Sequence, residues 1–353
     1  MTITIDCRMY DSSGIGVYLR GCLPYFLQSD NNFLLIGNSV QLKSFLTYKN
    51  VKIINCDVKT FSLKELLFFP YKLLKIINKT DLFYSPFFNI PCGITIPVFT
   101  TIHDIIFPDM PELTSKIGLL VRMWFFRRAY KLSKKIFTVS NFSKSRIEHH
   151  LGSSKPVIVT YSAIQTMFLE YKANTQKKEI IVYIGNIKKH KGLDYLLDAF
   201  YIAKKDGLTH QLLIIGSREN FRSSDTDILK KIDLIGNNSV LFTGFISDEE
   251  LMAHLSCAAL LVQPSLYEGF CLPPLEAMVL GTHALVSDIP VLKEVYSEFP
   301  VTYFKNGNSI DLKDKLIELL HKKTFTNITL TEKLKYKYTF DKTVSIILEA
   351  LKK

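Results

Sequence analysis

Two glutamates, Glu268 and Glu276, stand with seven residues between them in residues 264–295, PSLYEGFCLPPLEAMVLGTHALVSDIPVLKEV. Carboxylates accept hydrogen bonds and give none, so such a pair suits vicinal hydroxyls like those of ribose or a hexose. Glu268 follows an apolar, strand-like run, and Gly269 allows the backbone to come close to a ligand. Pro273 and Pro274 then open a helix, where proline's missing N–H does no harm, and this puts Glu276 in the first turn. Backbone N–H groups around Phe270, Cys271 and Leu272, and at the helix start, offer donors for a diphosphate. Taken singly, either glutamate also reads as a surface residue, and Glu276 as one that complements the helix dipole.

A second group of chemistry-bearing residues lies upstream in residues 185–193, GNIKKHKGL, between a strand and a helix. Cations at Lys189, His190 and Lys191 are placed to neutralise charge building up on a departing diphosphate, and a solvated basic loop is the alternative reading. In the first half, residues 11–18, DSSGIGVY, put Gly14 and Gly16 at a helix N-terminus, a natural seat for phosphate. Leu19 occupies the third glycine position of G-x-G-x-x-G, so this is not a dinucleotide fingerprint, and a plain tight turn fits equally well. His103, followed by Asp104, ends an apolar strand; a lone histidine there is usually a satisfied structural residue. Ser143, in the helix start VSNFS, reads as a cap.

Strand and helix patterns alternate from end to end, which predicts α/β domains with parallel sheets. Strands are expected at residues 2–8, 33–37, 51–56, 81–85, 97–103, 135–140 and 157–161. A second series is expected at 180–184, 211–215, 240–243, 260–263, 284–287 and 301–304. Helical patterns cover residues 16–28, 63–78, 114–132, 142–151, 193–205, 248–257, 274–280 and 340–351. A polar lapse at 163–178 marks the boundary between two Rossmann-like doubly wound domains, 1–165 and 166–353, with the last helix free to cross back to the first. Such domains carry their ligand crevices at the carboxyl ends of the strands, so two of them facing across a cleft would suit a two-substrate reaction.

The chain's 353 residues exceed what one hydrophobic core usually organises. A hydrophobic content of 47% with 22% charged residues belongs to a folded chain and excludes a disordered one. The first ten residues read as a strand and lack the pattern of a signal peptide. No apolar run reaches the roughly 18–20 residues that cross a bilayer. The six cysteines are scattered without zinc-ligand or redox spacing, so a reduced, cytoplasmic setting is expected. The net charge of +11 calls for an anionic partner. Residues 64–79 and 118–135 combine Lys and Arg with bulky apolar residues. Each stretch suits either peripheral contact with an anionic membrane or a core-facing helix with solvated lysines. No nucleic-acid module is visible, and no nucleic-acid partner is expected.

With these residues in view, the segment at 268–278 resembles the glycosyltransferase family 4 signature, E-G-F-G-L-P-x-x-E-A-M. The resemblance implies the GT-B fold and a retaining hexosyltransferase that uses a nucleoside diphosphate sugar and needs no metal or other cofactor. It implies that Glu268 contacts the donor sugar, Glu276 the nucleotide ribose, and Lys191 the phosphates. Gly14, Gly16, Asn186, His190, Gly269, Phe270, Cys271 and Leu272 fall at the remaining donor-binding positions. T-I-H-D followed by I-I-F-P resembles the family's His-Asp motif, which places His103 against the donor sugar as a third catalytic residue beside Lys191 and Glu268. The chain departs at Cys271, where glycine is usual, at His283–Ala284, where Pro-Val is common, and at Asn186, where many members have arginine. At the last position, Lys189 and His190 are the substitutes for a second cation.

The wording YEGFxLPPLEAM is most like mannosyl- and rhamnosyl-type members that build bacterial surface polysaccharide, with a glycan or polyprenyl-linked acceptor. That places the enzyme in the cytoplasm, at the inner face of the cell membrane. A sugar-nucleotide epimerase or a phosphorylase shares the fold, and Asn186 with Cys271 makes an inactive nucleotide-sugar-binding subunit a further alternative. An NAD-dependent dehydrogenase is disfavoured by the incomplete glycine fingerprint.

Overall fold

The computed structural model describes residues 1–173, 176–216, 226–236, 238–321 and 327–352. The chain divides into two compact units, Met1–Ala163 with Tyr338–Lys353, and Ile164–Lys337. Asn174 and Thr175, inside the polar stretch read as a boundary, lie outside the described residues. The strands of the first unit are β1 Thr2–Asp6, β2 Asn32–Gly37, β3 Val51–Asn55, β4 Leu82–Ser85, β5 Val98–Thr101, β6 Ser133–Thr138 and β7 Val157–Val159. Those of the second are β8 Lys178–Ile184, β9 Gln211–Ile215, β10 Val240–Gly244, β11 Ala258–Gln263, β12 His283–Ser287 and β13 Thr302–Phe304. Central strands such as LFYS in β4 and AALLVQ in β11 are buried along their whole length. This follows from parallel pairing, which leaves helices to cover both faces and selects continuous apolar runs.

The helices are α1 Ser13–Leu27, α2 Leu63–Leu67, α3 Tyr71–Ile77, α4 Ile106–Asp109, α5 Lys116–Leu132, α6 Asn141–Leu151 and α7 Thr166–Glu170. They continue with α8 Leu193–Lys205, α9 Thr226–Ile235, α10 Asp248–Cys257, α11 Pro273–Val279, α12 Pro290–Val295, α13 Ser309–Leu320, α14 Glu332–Lys335 and α15 Phe340–Lys352. Local signals explain several starts. Ser115 caps α5, Ser247 and Glu250 form a capping box on α10, and Asn308 caps α13. The single helix expected at 63–78 is instead two. Pro70 lacks an N–H and pushes the residue before it out of the α region, so the chain breaks between α2 and α3.

Both sheets are doubly wound. The first runs β3-β2-β1-β4-β5-β6-β7 and the second β10-β9-β8-β11-β12-β13, with every named strand pair parallel. Strand order therefore reverses between β1 and β4 in one unit and between β8 and β11 in the other. At such switch points the two connecting loops part company and leave room beyond the strand ends.

In the first unit, Ile77 of α3 and Ala129 of α5 share a core cluster with Leu34, Phe83 and Val98, so these helices cover one face of the sheet. The helix α15 packs on α1, its Phe340 ring lying where a Cβ on Gly21 would come within 2.1 Å of it. Thr343 Oγ1 donates to Thr160 O at 3.2 Å and Lys135 Nζ to Ala350 O at 2.8 Å, fixing both ends of α15. Phe340 is 2% exposed, and truncating a buried aromatic ring costs about 3–5 kcal/mol. Phe340→Ala is expected to lower unfolding free energy by that amount in urea titrations.

Candidate active site

The switch point of the second unit is built from the loops that follow β8 and β11. After β8 the chain passes Asn186, which is exposed, into a short 3-10 turn at Lys189–Lys191, and Gly192 at φ +69° redirects it into α8. A Cβ on Gly192 would meet Pro264 O at 1.9 Å, so the two loops touch backbone to side-chain-free backbone there. Leu266 N–H donates to His190 O at 2.8 Å and closes the clasp. This clasp holds Lys191 against Glu268, with Nζ 2.7 Å from Oε1 and 3.0 Å from Oε2. Ser265 Oγ donates to the same Oε1 at 2.7 Å, and Gln263 Nε2 donates to Ser265 Oγ at 2.8 Å. The Lys191 side chain keeps 24% of its surface and that of Glu268 10%, so the ammonium stays reachable from solvent.

His190, expected at a donor-binding position, is half-buried. Its burial, with the charges of Lys191 and Lys188, brings the imidazole down to about 4 against the opposing pull of Glu268. The ring is thus uncharged near pH 7, while Lys189 in the same turn is exposed.

Beyond Glu268, Gly269 is half-buried and Phe270 buried. Cys271 sits at φ +74°, and its carbonyl accepts the buried Tyr296 hydroxyl. The first turn of α11 offers no free amides. Pro273 and Pro274 have none, and the N–H groups of Leu275 and Glu276 both go to Leu272 O, at 2.9 and 3.1 Å. The N–H groups of Cys271 and Leu272, in contrast, have no hydrogen-bond partner among the described residues. Glu276 is 8% exposed, and no hydrogen bond reaches its carboxylate among the described residues. Burial, reinforced by Asp248, pushes its carboxyl up to about 7. A buried carboxylate without a partner is costly, and such groups cluster at functional sites.

In the first unit, Gly14 and Gly16 lie inside the first turn of α1 and not in a loop before it. Gly16 is a packing glycine, since a Cβ there would meet Tyr10 O at 2.4 Å, whereas Gly14 faces open space. His103 follows β5; its Nε2 donates to Pro86 O at 2.9 Å and its ring stands edge-on to Tyr18 at 4.7 Å. Burial brings it down to about 4, so the ring is neutral near pH 7. The cap of α6 is Ser140, which accepts from Ser143 N–H at 3.0 Å, in place of the expected Ser143, whose hydroxyl donates to His103 O at 3.1 Å.

A cluster that sequence reasoning missed lies beside the β1–β4 switch point. Arg8 pairs with Asp6 and with Glu65, each at 2.5 Å, and all three side chains are at most 2% exposed. Glu65 also accepts from Phe61 N–H at 2.7 Å and from the Asn89 amide. Among the described residues, no group of three or more His, Cys, Asp and Glu side chains is placed to hold a metal ion.

The profile of the family described as Glycosyl transferases group 1 matches residues 168–337, nearly the whole second unit. The match lies within the second unit and covers just under half of the chain. O-antigen chain mannosyltransferase B of Escherichia coli is 27% identical over 233 residues, 62% of this chain and 60% of that protein. The O-antigen chain mannosyltransferase RfbU of Salmonella typhimurium is 27% identical over 252 residues, 69% of this chain and 68% of that protein. Among solved structures, Anabaena HepE in complex with UDP-glucose superposes with a TM-score of 0.73 at 18% identity, covering 100% of this chain and 99% of that one. Sucrose-phosphate synthase of Thermosynechococcus elongatus gives 0.72 at 14% identity, covering 100% and 98%. These structures establish the two-sheet GT-B fold.

The match of residues 168–337 to the group 1 glycosyl transferases gives the Cys271 geometry a meaning. The usual glycine at this place in the signature suits a left-handed backbone, and this chain puts a side chain there. For a non-glycine residue that conformation costs about 1–2 kcal/mol. Cys271→Gly relieves it but loses a buried thiol and stiffness in the unfolded chain, about 0.5–1 kcal/mol for the latter. The variant is therefore expected within about 1 kcal/mol of wild type. Cys271→Val, β-branched in the same conformation, is expected to lose about 2 kcal/mol or more in denaturant titration.

Glu276 yields a pH signature. Its folded value of about 7 exceeds the ordinary 4.5, so between these values the unfolded chain binds fewer protons than the folded one. Stability from this group falls as pH rises from about 4.5 to about 7 and then levels off. Glu276→Gln is expected to gain on wild type by about 3 kcal/mol across that window; a difference independent of pH would contradict the assignment.

Proposed function

We propose that this chain is a retaining glycosyltransferase that moves a hexose, mannose-like by its relatives, from a nucleoside diphosphate sugar to a glycan or lipid-linked acceptor in surface polysaccharide synthesis. The observation that carries the reading is Lys191 held against Glu268 beside the unengaged amides of Cys271 and Leu272. A departing diphosphate gathers negative charge as the glycosidic bond breaks, and preorganised cations and N–H dipoles stabilise that charge without reorganising. Lys191 and the two amides supply such a set, with Lys189 nearby. In this reading Glu268, already bonded by Lys191 and Ser265, has its orientation fixed and accepts hydroxyl hydrogen bonds from the donor sugar. Glu276 accepts from a ribose diol, which relieves the isolation of its carboxylate. His103 donates through Nε2 to Pro86, which leaves Nδ1 as an acceptor for a sugar hydroxyl. The mannose assignment draws on the two O-antigen mannosyltransferases at 27% identity.

A second reading, an inactive nucleotide-sugar-binding subunit, is favoured by Cys271 in its left-handed conformation and by the exposed Asn186 in place of a cation. The two separate in a panel of nucleoside diphosphates and their mannose, rhamnose and glucose conjugates. A cognate donor at a hundredfold excess over its dissociation constant raises stability by about 2.7 kcal/mol. Selective stabilisation together with sugar transfer or donor hydrolysis supports the enzyme; stabilisation without turnover supports the binding subunit. Lys191→Met is expected to lower kcat by about a hundred- to a thousandfold while the fold is retained. Glu276→Ala is expected to weaken donor binding, and lost turnover with unchanged donor binding would contradict the ribose role.

A further inference from the structure

The outer surface of the helical layer on one face of the first sheet carries more apolar side chain than a solvated surface normally does. On α5, Ile117, Leu120, Val121 and Trp124 recur at helical spacing and are 76%, 69%, 50% and 50% exposed. The opposite stripe of the same helix, Met123, Phe126 and Tyr130, is packed in the core, so the exposed stripe is not a helix turned the wrong way. The segment holding α2 and α3 repeats the pattern, with Leu63 at 75%, Phe68 at 73% and Tyr71 at 69%.

The two stretches form one surface. Ile77 of α3 and Ala129 of α5 share a core cluster, and the Phe61 ring lies 5.6 Å from that of Phe125. The residues between β4 and β5 bridge them: Cys92 N–H donates to Glu65 O at 3.3 Å, and the Arg128 guanidinium donates to the carbonyls of Ile90 and Pro91.

Charge identifies the occupant. Residues 62–80 hold Lys64, Lys72, Lys75 and Lys79 and one acid, Glu65, whose side chain is sealed against Arg8. Residues 116–135 hold seven Lys and Arg and no acid at all. A second copy of the chain would bring the same positive face against itself. An anionic lipid surface takes both features at once, accepting Trp124, Tyr71 and the aliphatic residues at the headgroup boundary while the flanking lysines reach phosphate. We infer that this face of the first unit, formed by α2, α3 and α5, docks on an anionic bilayer surface, with Trp124, Leu120 and Phe68 as its apolar anchors. It lies on the surface, since no helix among the described residues is long and apolar enough to cross a membrane.

The test is co-sedimentation of the purified full chain with vesicles of phosphatidylcholine alone or mixed in equal parts with phosphatidylglycerol. The chain is expected to pellet with the mixed vesicles at low salt, far less with phosphatidylcholine, and less at high salt, where the charge is screened. Trp124→Glu combined with Leu120→Glu, and separately Phe68→Glu, are expected to reduce partitioning about tenfold or more. Circular dichroism and thermal midpoint would stay at wild-type values, because these side chains are exposed. Lys72→Glu with Lys75→Glu lowers binding without altering the apolar surface. Phe245→Glu is the control: Phe245 is 83% exposed but belongs to the second unit, and its loss should leave partitioning unchanged. The inference is overturned if the chain ignores mixed vesicles, or if the patch variants pellet as wild type does. Self-association abolished by the patch variants, without vesicle binding, also overturns it and makes the face a contact between copies.

Discussion

Lys191 and Glu268 meet because β8 and β11 are neighbours in space though far apart in sequence. Their ion pair spans the point where strand order reverses, and almost everything notable in the second unit serves to keep it there. Gly192 brings one loop under Pro264, the His190 carbonyl ties down Leu266, and Ser265 steadies the carboxylate. Loss of either member would leave the other, partly withdrawn from water, without its counter-charge. Burial, with the charges of Lys191 and Lys188, keeps the neighbouring His190 imidazole low, and the backbone at Cys271 is bent into an unfavourable region as the loop passes the pair. Local strain and an isolated carboxylate at Glu276 both cost stability, and such features cluster at functional sites.

The first unit treats its own reversal differently. There Asp6, Arg8, Glu65 and Asn89 fill the region next to the β1–β4 switch point with a sealed polar cluster. Such a cluster contributes little net stability, because desolvation of the charges offsets their attraction. It does fix the geometry of the segment leading into α2, since a displaced Glu65 would leave Arg8 buried and unpaired. The same doubly wound plan thus presents an accessible pair in one unit and an enclosed network in the other.

How far the sequence revealed this depends on whether the signal was local. Strands announce themselves as apolar runs, those buried along their whole length such as β4 and β11 most clearly, and each named strand was legible. The glutamate spacing and the basic loop after β8 were legible too, because each is a short segment with an ordinary chemical reading. What escaped was of two kinds. Arg8 and Glu65 are separated by two strands of the sheet, and nothing in either neighbourhood predicts that one will neutralise the other. Pro70, Ser140 and Cys271 did carry local signals, but each was outweighed. Pro70 interrupts a pattern otherwise periodic through Asn78, Ser140 stands close to the more conspicuous Ser143, and Cys271 passes for a tolerated small residue until its φ is known.

The return of the chain to the first unit has a consequence for how the protein comes into being. Strands β1 to β7 and helix α1 leave the ribosome early, but the Phe340 ring that packs against Gly21 belongs to α15, which follows the entire second unit in the sequence. During synthesis the first unit must therefore wait with an apolar groove on α1 exposed, while a complete second domain is made and folds. That interval is when the nascent chain is most open to aggregation and to chaperones, and a delay in translating the second unit would lengthen it.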